Sequence, residues 1–128
     1  MSWYVDSSVI IAAILQEVSD IEFSKVFESS PVTSRLSRVE VLRRISKSDT
    51  ELIPRAEVLL QQCMSIDMSE VILKRAESYP SDITVKAADA IHLATAETIS
   101  SMTRGIITFD KQMAKNAERL GLKVFSNS

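Results

Sequence analysis

Trp3-Tyr4-Val5-Asp6-Ser7-Ser8-Val9-Ile10 is the stretch that decides the fold. Trp, Tyr and Val favour a pleated strand. Asp6-Ser7-Ser8 are capping residues that open a helix. Val9, Ile10, Ala12, Ala13, Ile14 and Leu15 then carry a helical pattern. A strand that turns into a helix at an acid is the opening of an alternating α/β chain. A passage of the same kind lies near the other end. Gly105 starts a strand, Ile106-Ile107-Thr108-Phe109, that ends at Asp110, and a helix over 110–120 stops at Gly121, a usual C′ residue.

The residues between these passages fill in the alternation. The spacing predicts an acidic helix over 20–28, with Ile21, Phe23, Val26 and Phe27 as its apolar residues, and a very short strand over 31–34. Leu36, Val39, Leu42 and Ile45 predict a helix over 36–47. A further helix over 51–62 tolerates Pro54 in its first turn. Met64-Ser65-Ile66 reads as a strand, Ser69 caps a helix over 70–78, and Pro80-Ser81-Asp82 breaks the pattern. The stretch 85–99 is helical and apolar on nearly all sides, which predicts burial. Leu122-Lys123-Val124-Phe125 closes the chain as a strand. Short strands alternating with helices predict an α/β fold: a three-layer α/β/α domain around a short central parallel sheet of four or five strands.

At 128 residues the chain makes one domain, 1–128, with no linker, repeat or low-complexity segment. Fifteen basic against seventeen acidic side chains leave a net charge of −2, which excludes a general polyanion-coating protein but not an enzyme with a local basic patch. Two glycines are too few for a Walker or dinucleotide phosphate loop. One cysteine, no secretory signal and no apolar run of ~20 residues predict a cytoplasmic protein with no membrane association.

Ligands of open parallel sheets sit beyond the carboxyl ends of the strands. Asp6 and Asp110 follow two strands directly and share that rim. Glu40 lies on the helix after the short second strand. As single residues, Asp6 and Asp110 fit a helix cap equally well, and Glu40 fits a surface ion pair. Asp89 is harder to explain that way, because its helical neighbours are Val85, Leu93 and Ala96. A carboxylate on an apolar face needs a partner, either a cation side chain such as Lys86 or a metal ion. Carboxylates crowded on one rim raise each other's pKa, and a divalent cation relieves the repulsion. All-oxygen ligation fits Mg²⁺ or Mn²⁺ better than zinc, and such ions catalyse phosphodiester hydrolysis.

Four segments carry a family resemblance: Tyr4-Val5-Asp6-Ser7-Ser8-Val9-Ile10, Ser37-Arg38-Val39-Glu40, Ala87-Ala88-Asp89-Ala90-Ile91-His92-Leu93-Ala94 and Ile107-Thr108-Phe109-Asp110. In this order the chain resembles a PIN domain over its whole length, in particular a VapC-type toxin of a toxin–antitoxin pair. The resemblance implies a Mg²⁺- or Mn²⁺-dependent endoribonuclease that inhibits translation. Asp6, Glu40, Asp89 and Asp110 would be its catalytic, metal-binding acids, with Ser8 and Thr108 supporting them. It also implies an RNA substrate, a homodimer, and a small VapB-like antitoxin whose basic side chain can enter the acidic site. Met113 departs from the pattern, standing where an aromatic often follows the last acid.

Arg35 and Arg38, one turn apart and just before Glu40, are candidate RNA-phosphate contacts, as are Lys111 and Lys115. The alternative for the arginines is pairing with the acidic helix over 20–28. His92, the one histidine, sits a turn from Asp89 and is expected in a core or supporting role rather than as an acid–base group. Cys63 is expected to be buried. Trp3, Phe23, Phe27 and Phe109 are expected in the core or at a partner surface. Two other functions fit a sheet of this type: a phosphatase or phosphotransfer domain with Asp6 as nucleophile, which lacks the second acid that such sites carry near the first strand, and a non-catalytic interaction module.

Overall fold

The computed structural model describes residues 1–16 and 21–125, with backbone alone for 21–24. Its elements run β1 (Ser2–Val5), α1 (Ser7–Ile14), α2 (Ile21–Glu28), β2 (Val32–Ser34), α3 (Arg35–Ser48), α4 (Ile53–Gln62), β3 (Met64–Ile66), α5 (Glu70–Glu77), α6 (Ala87–Thr98), β4 (Thr103–Ile107) and α7 (Lys111–Arg119). The four strands form one parallel sheet in the order β3-β2-β1-β4. Asp20 and the side chains of Ile21 and Phe23 lie outside the described residues.

Strand alternation builds the two cores. On β1, Trp3 and Val5 point to one face and Tyr4 to the other. The first face packs against Val9, Ile10 and Ile14 of α1, Val41 and Ile45 of α3, and Ala56 and Leu60 of α4. The second packs against Leu93 and Ala96 of α6 and Met113 and Ala117 of α7. Ile107 joins the first core and its neighbour Ile106 the second. The result is the expected three-layer α/β/α domain. No described helix is long and apolar enough to cross a membrane.

The structure corrects the expected elements in three places. The closing strand is reduced to one bridge, Ile106–Val124, made by Ile106 N–H to the Lys123 carbonyl and Phe125 N–H to the Ile106 carbonyl. The sheet therefore has four strands. β4 starts two residues before Gly105, because a bulge absorbs the glycine: Ser2 pairs with Thr103 but Tyr4 with Ile106. Gly105 holds φ +144°, a region open to glycine. Third, the helix expected over 85–99 starts at Ala87 and is not buried throughout. Ala87 is exposed, residues 88–91 are half-buried, and only His92 to Ala96 are fully inside. Its first turn projects toward the rim and carries Asp89.

Candidate active site

The parallel arrangement sends β1, β2 and β4 toward one rim, and the segments leaving them carry the acids. Asp6 ends β1 and caps α1, accepting the Val9 amide at 3.4 Å. It is 4% exposed. Its two oxygens accept hydrogen bonds from two hydroxyls, Ser8 Oγ at 2.5 Å and Thr108 Oγ1 at 2.5 Å. Those hydroxyls in turn accept backbone amides, Phe109 N–H at Ser8 and Asp110 N–H at Thr108, each at 3.1 Å. A closed circuit thus fastens the loop after β4 to the end of β1. Burial pushes the Asp6 carboxyl above the usual carboxylate range, while the Ser8 and Thr108 hydroxyls, His92 and the Val9 amide oppose that shift.

Glu40 reaches the rim from α3. Its Oε1 accepts from His92 Nε2 at 2.6 Å, and His92 Nδ1 meets the Tyr4 hydroxyl at 2.7 Å. His92 therefore pairs with Glu40 across two helices and not with Asp89 on its own helix. No segment of the chain announces this tie directly. The one available signal was the alternation of β1, which turns Tyr4 toward the face that α6 covers.

Asp89 stands in the first turn of α6, where the helix dipole favours a negative charge. Its carboxyl is nonetheless raised above the ordinary value, first by desolvation, then by the negative charge of Asp110, with Asp6 and Glu40 adding to it and His92 opposing. Lys86 caps α6 through its backbone and makes no ion pair with Asp89 among the described residues. Asp110 caps α7, accepting the Gln112 amide at 2.8 Å and the Met113 amide at 3.1 Å, and it is exposed. The cap reading and the rim reading of Asp6 and Asp110 are compatible, since one carboxylate oxygen serves more than one partner.

Asp89 thus lies within electrostatic reach of the other three acids. Among the described residues, no three His, Cys, Asp or Glu side chains converge into a ready-made metal shell. The donor set itself, carboxylate oxygens with no thiolate among them, fits a hard dication such as Mg²⁺ or Mn²⁺.

The remaining expectations divide. Arg38 is held by Glu57 of α4 at 2.7 Å, so among the described residues its partner is on α4 and not on the acidic helix α2. Arg35, Lys111 and Lys115 are exposed. Lys111 and Lys115 border an open cleft of about 590 Å³ with Thr84, Gln112 and Arg119. Met113 is fully buried, filling its place in the second core. Trp3 is buried and Phe27 half-buried, whereas Phe109 is 45% exposed beside the rim. Cys63 is half-buried, and burial pushes its thiol up to about 12, which leaves it unreactive at neutral pH.

The family model of the PIN domain matches residues 3–119. This chain belongs to the PIN domain family. The matched span contains all four acids of the rim. Two curated relatives of this PIN domain come from Mycobacterium tuberculosis. Ribonuclease VapC35 is 29% identical over 127 residues, covering 94% of this chain and 93% of its own. Ribonuclease VapC47 is 26% identical over 128 residues, covering 92% and 91%. Among solved structures, a toxin–antitoxin complex from Klebsiella pneumoniae superposes with a TM-score of 0.68 at 24% identity, over 88% of this chain and 91% of that one. At that identity the superposition speaks for the fold alone.

Proposed function

We infer that this PIN domain is a Mg²⁺- or Mn²⁺-dependent endoribonuclease, the toxin of a toxin–antitoxin pair that inhibits translation. The observation that carries the reading is Asp89, whose carboxyl lies under the charges of Asp110, Asp6 and Glu40 contributed by three other parts of the chain. The ribonuclease names of the two mycobacterial relatives support the substrate class. In this reading Asp6, Glu40, Asp89 and Asp110 hold the dication, which when bound supplies an activated water and neutralises charge building on the phosphate. Ser8 and Thr108 keep both oxygens of Asp6 in place. Asp110 is held by the α7 amides. A phosphotransfer role for Asp6 is disfavoured, because a buried carboxylate with hydrogen bonds on both oxygens is a poor nucleophile. The partner is a small antitoxin that places a basic side chain among the acids, and the toxin is a homodimer.

The test is cleavage of a labelled RNA by the purified protein. Cleavage is expected with Mg²⁺ or Mn²⁺, to stop on adding EDTA and to return with excess Mn²⁺. Cleavage that persists in EDTA, with metal-free buffers, counts against the reading.

RNA is held on either side of the acids by Arg35 and Lys111, with Arg38 sharing its charge with Glu57. Lys111 follows Asp110 directly, so its ammonium can meet a phosphate next to the one being cut. Lys111→Glu is expected to raise KM for RNA about tenfold at low salt and to leave kcat nearly unchanged, the difference fading as salt screens the contact. A salt-independent loss of kcat would instead place Lys111 in the fold or the acid cluster.

A further inference from the structure

The rim is supported by a buried polar connection that the proposed chemistry does not use. Tyr4, His92 and Glu40 come from β1, α6 and α3, and their side chains join end to end. Tyr4 is 0% and His92 1% exposed, so both polar groups need interior partners. The Tyr4 hydroxyl also meets the Ser34 backbone and the Thr95 hydroxyl, whereas the His92 nitrogens have Tyr4 and Glu40. The chemistry of the partners fixes the direction of the chain. A carboxylate can only accept, so the short contact at Glu40 requires the proton on His92 Nε2. In the neutral imidazole Nδ1 then accepts the Tyr4 hydroxyl. The ring is thereby set from both ends, and its edge faces the Tyr4 ring with centroids 6.0 Å apart.

The position of this connection gives it a role beyond packing. Tyr4 lies two residues before Asp6 on β1, and His92 lies three residues after Asp89 on α6. The imidazole therefore ties together the elements that carry Asp6, Asp89 and Glu40. Only one Glu40 oxygen is taken by His92, and among the described residues the other accepts no hydrogen bond. On the reading that the acids hold a dication, we propose that His92 is a positioning residue: Glu40 fixes its tautomer, Tyr4 holds the ring from the Nδ1 side, and the Nε2–H aims the Glu40 carboxylate so that its second oxygen is left for the ion. This inference rests on that metal-dependent reading.

His92 is the chain's one histidine, so a sample labelled with ¹⁵N-histidine shows one imidazole without assignment. In the metal-free protein the proton is expected on Nε2, and Tyr4→Phe is expected to move the Nδ1 resonance while leaving the proton on Nε2. A proton found on Nδ1 alone would overturn the arrangement. Mn²⁺ binding is then measured by calorimetry on the wild type, His92→Ala, His92→Gln and Tyr4→Phe, each checked for folding by thermal melting. His92→Ala is expected to bind Mn²⁺ about 10- to 100-fold more weakly, the size usual for a lost outer partner of a ligand. His92→Gln, which retains an N–H donor for Glu40, is expected to recover most of that affinity. A folded His92→Ala that binds Mn²⁺ as the wild type does would leave His92 a packing residue and sink the proposal. Tyr4→Phe, which frees the ring at its Nδ1 side, is expected to bind Mn²⁺ several-fold more weakly. Should His92→Ala not fold, a Tyr4→Phe affinity equal to wild type, with no response of the imidazole resonances to Mg²⁺, would sink the proposal as well. No Mn²⁺ binding by the wild type would instead overturn the metal-dependent reading, and the tautomer measurement tells the two failures apart.

Discussion

Asp89→Asn is expected to abolish RNA cleavage and, in the absence of metal, to make the protein more stable. Losing an outer partner of a metal ligand costs 10- to 100-fold, so losing a ligand carboxylate is expected to cost more than about 100-fold in kcat/KM. The stability gain comes from the electrostatics of the rim. The Asp89 carboxyl is desolvated and faces Asp110, Asp6 and Glu40, so its proton is held more tightly in the folded than in the unfolded chain. Below the ordinary carboxylate value of 3.8 the wild-type side chain is protonated in both states and the folded state suffers no penalty. As pH rises through the raised folded value that advantage is lost. Asn carries no charge, so its advantage over the wild type appears above that window, about 1 kcal/mol or a few degrees in Tm after solvent screening. Asp6→Asn makes the contrast. It should also be inactive, but an amide oxygen and an NH₂ cannot both accept from Ser8 and Thr108, so one hydroxyl loses its acceptor and stability falls by about 1–3 kcal/mol. Cleavage assays with melts in EDTA at pH 7 and pH 4 read both effects. An Asp89→Asn protein that still cleaves, or that melts lower than wild type at pH 7, contradicts this account.

Gly105→Ala is expected to be the most damaging single-methyl change in the chain, lowering stability by about 3 kcal/mol from backbone strain and steric overlap together. At φ +144° a side chain is strained from the outset. A Cβ there would run into the Lys123 carbonyl oxygen and sit 2.9 Å from Trp3 Cζ3. That carbonyl accepts the Ile106 amide, so it cannot retreat without breaking the bridge to Val124. Gly121 provides the control. It ends α7 at φ +80° with nothing within 4 Å of a built Cβ, so Gly121→Ala should cost only about 1–2 kcal/mol of left-handed strain. Urea unfolding of the two variants separates crowding from backbone strain. Equal losses would mean that the bulge relaxes.

The strand-to-helix passages at Asp6 and Asp110 were legible because two periods meet there: alternation on β1 and β4, then helical spacing on α1 and α7. The short strands over Val32–Ser34 and Met64–Ile66 were legible because turn and capping residues bracket them. The closing strand was not, because its apolar pattern is indistinguishable from that of a strand held by a full ladder. Val124 meets β4 at a single bridge, next to the register shift at Gly105. The outward first turn of α6 was hidden for a similar reason. Ala87, Ala88 and Ala90 look apolar in sequence, yet alanine is small enough to stand exposed at little cost. At the site, residue order led to a shared rim for Asp6 and Asp110 with Glu40 on the helix after the second strand, and the family resemblance joined Asp89 to them. Pairings between distant elements, His92 with Glu40 and Arg38 with Glu57, depend on how helices pack and are not written in any one segment.

The pairing of β1 with β4 also sets when the rim can exist during synthesis. Ser2–Val5 is made first, but its neighbour Thr103–Ile107 and the loop that closes on Asp6 come about a hundred residues later. Contacts of such high sequence separation form late, after the chain has lost much of its freedom. A growing polypeptide therefore lacks Asp110 for most of its time on the ribosome, and the four acids first meet when translation of that copy has passed the last of them.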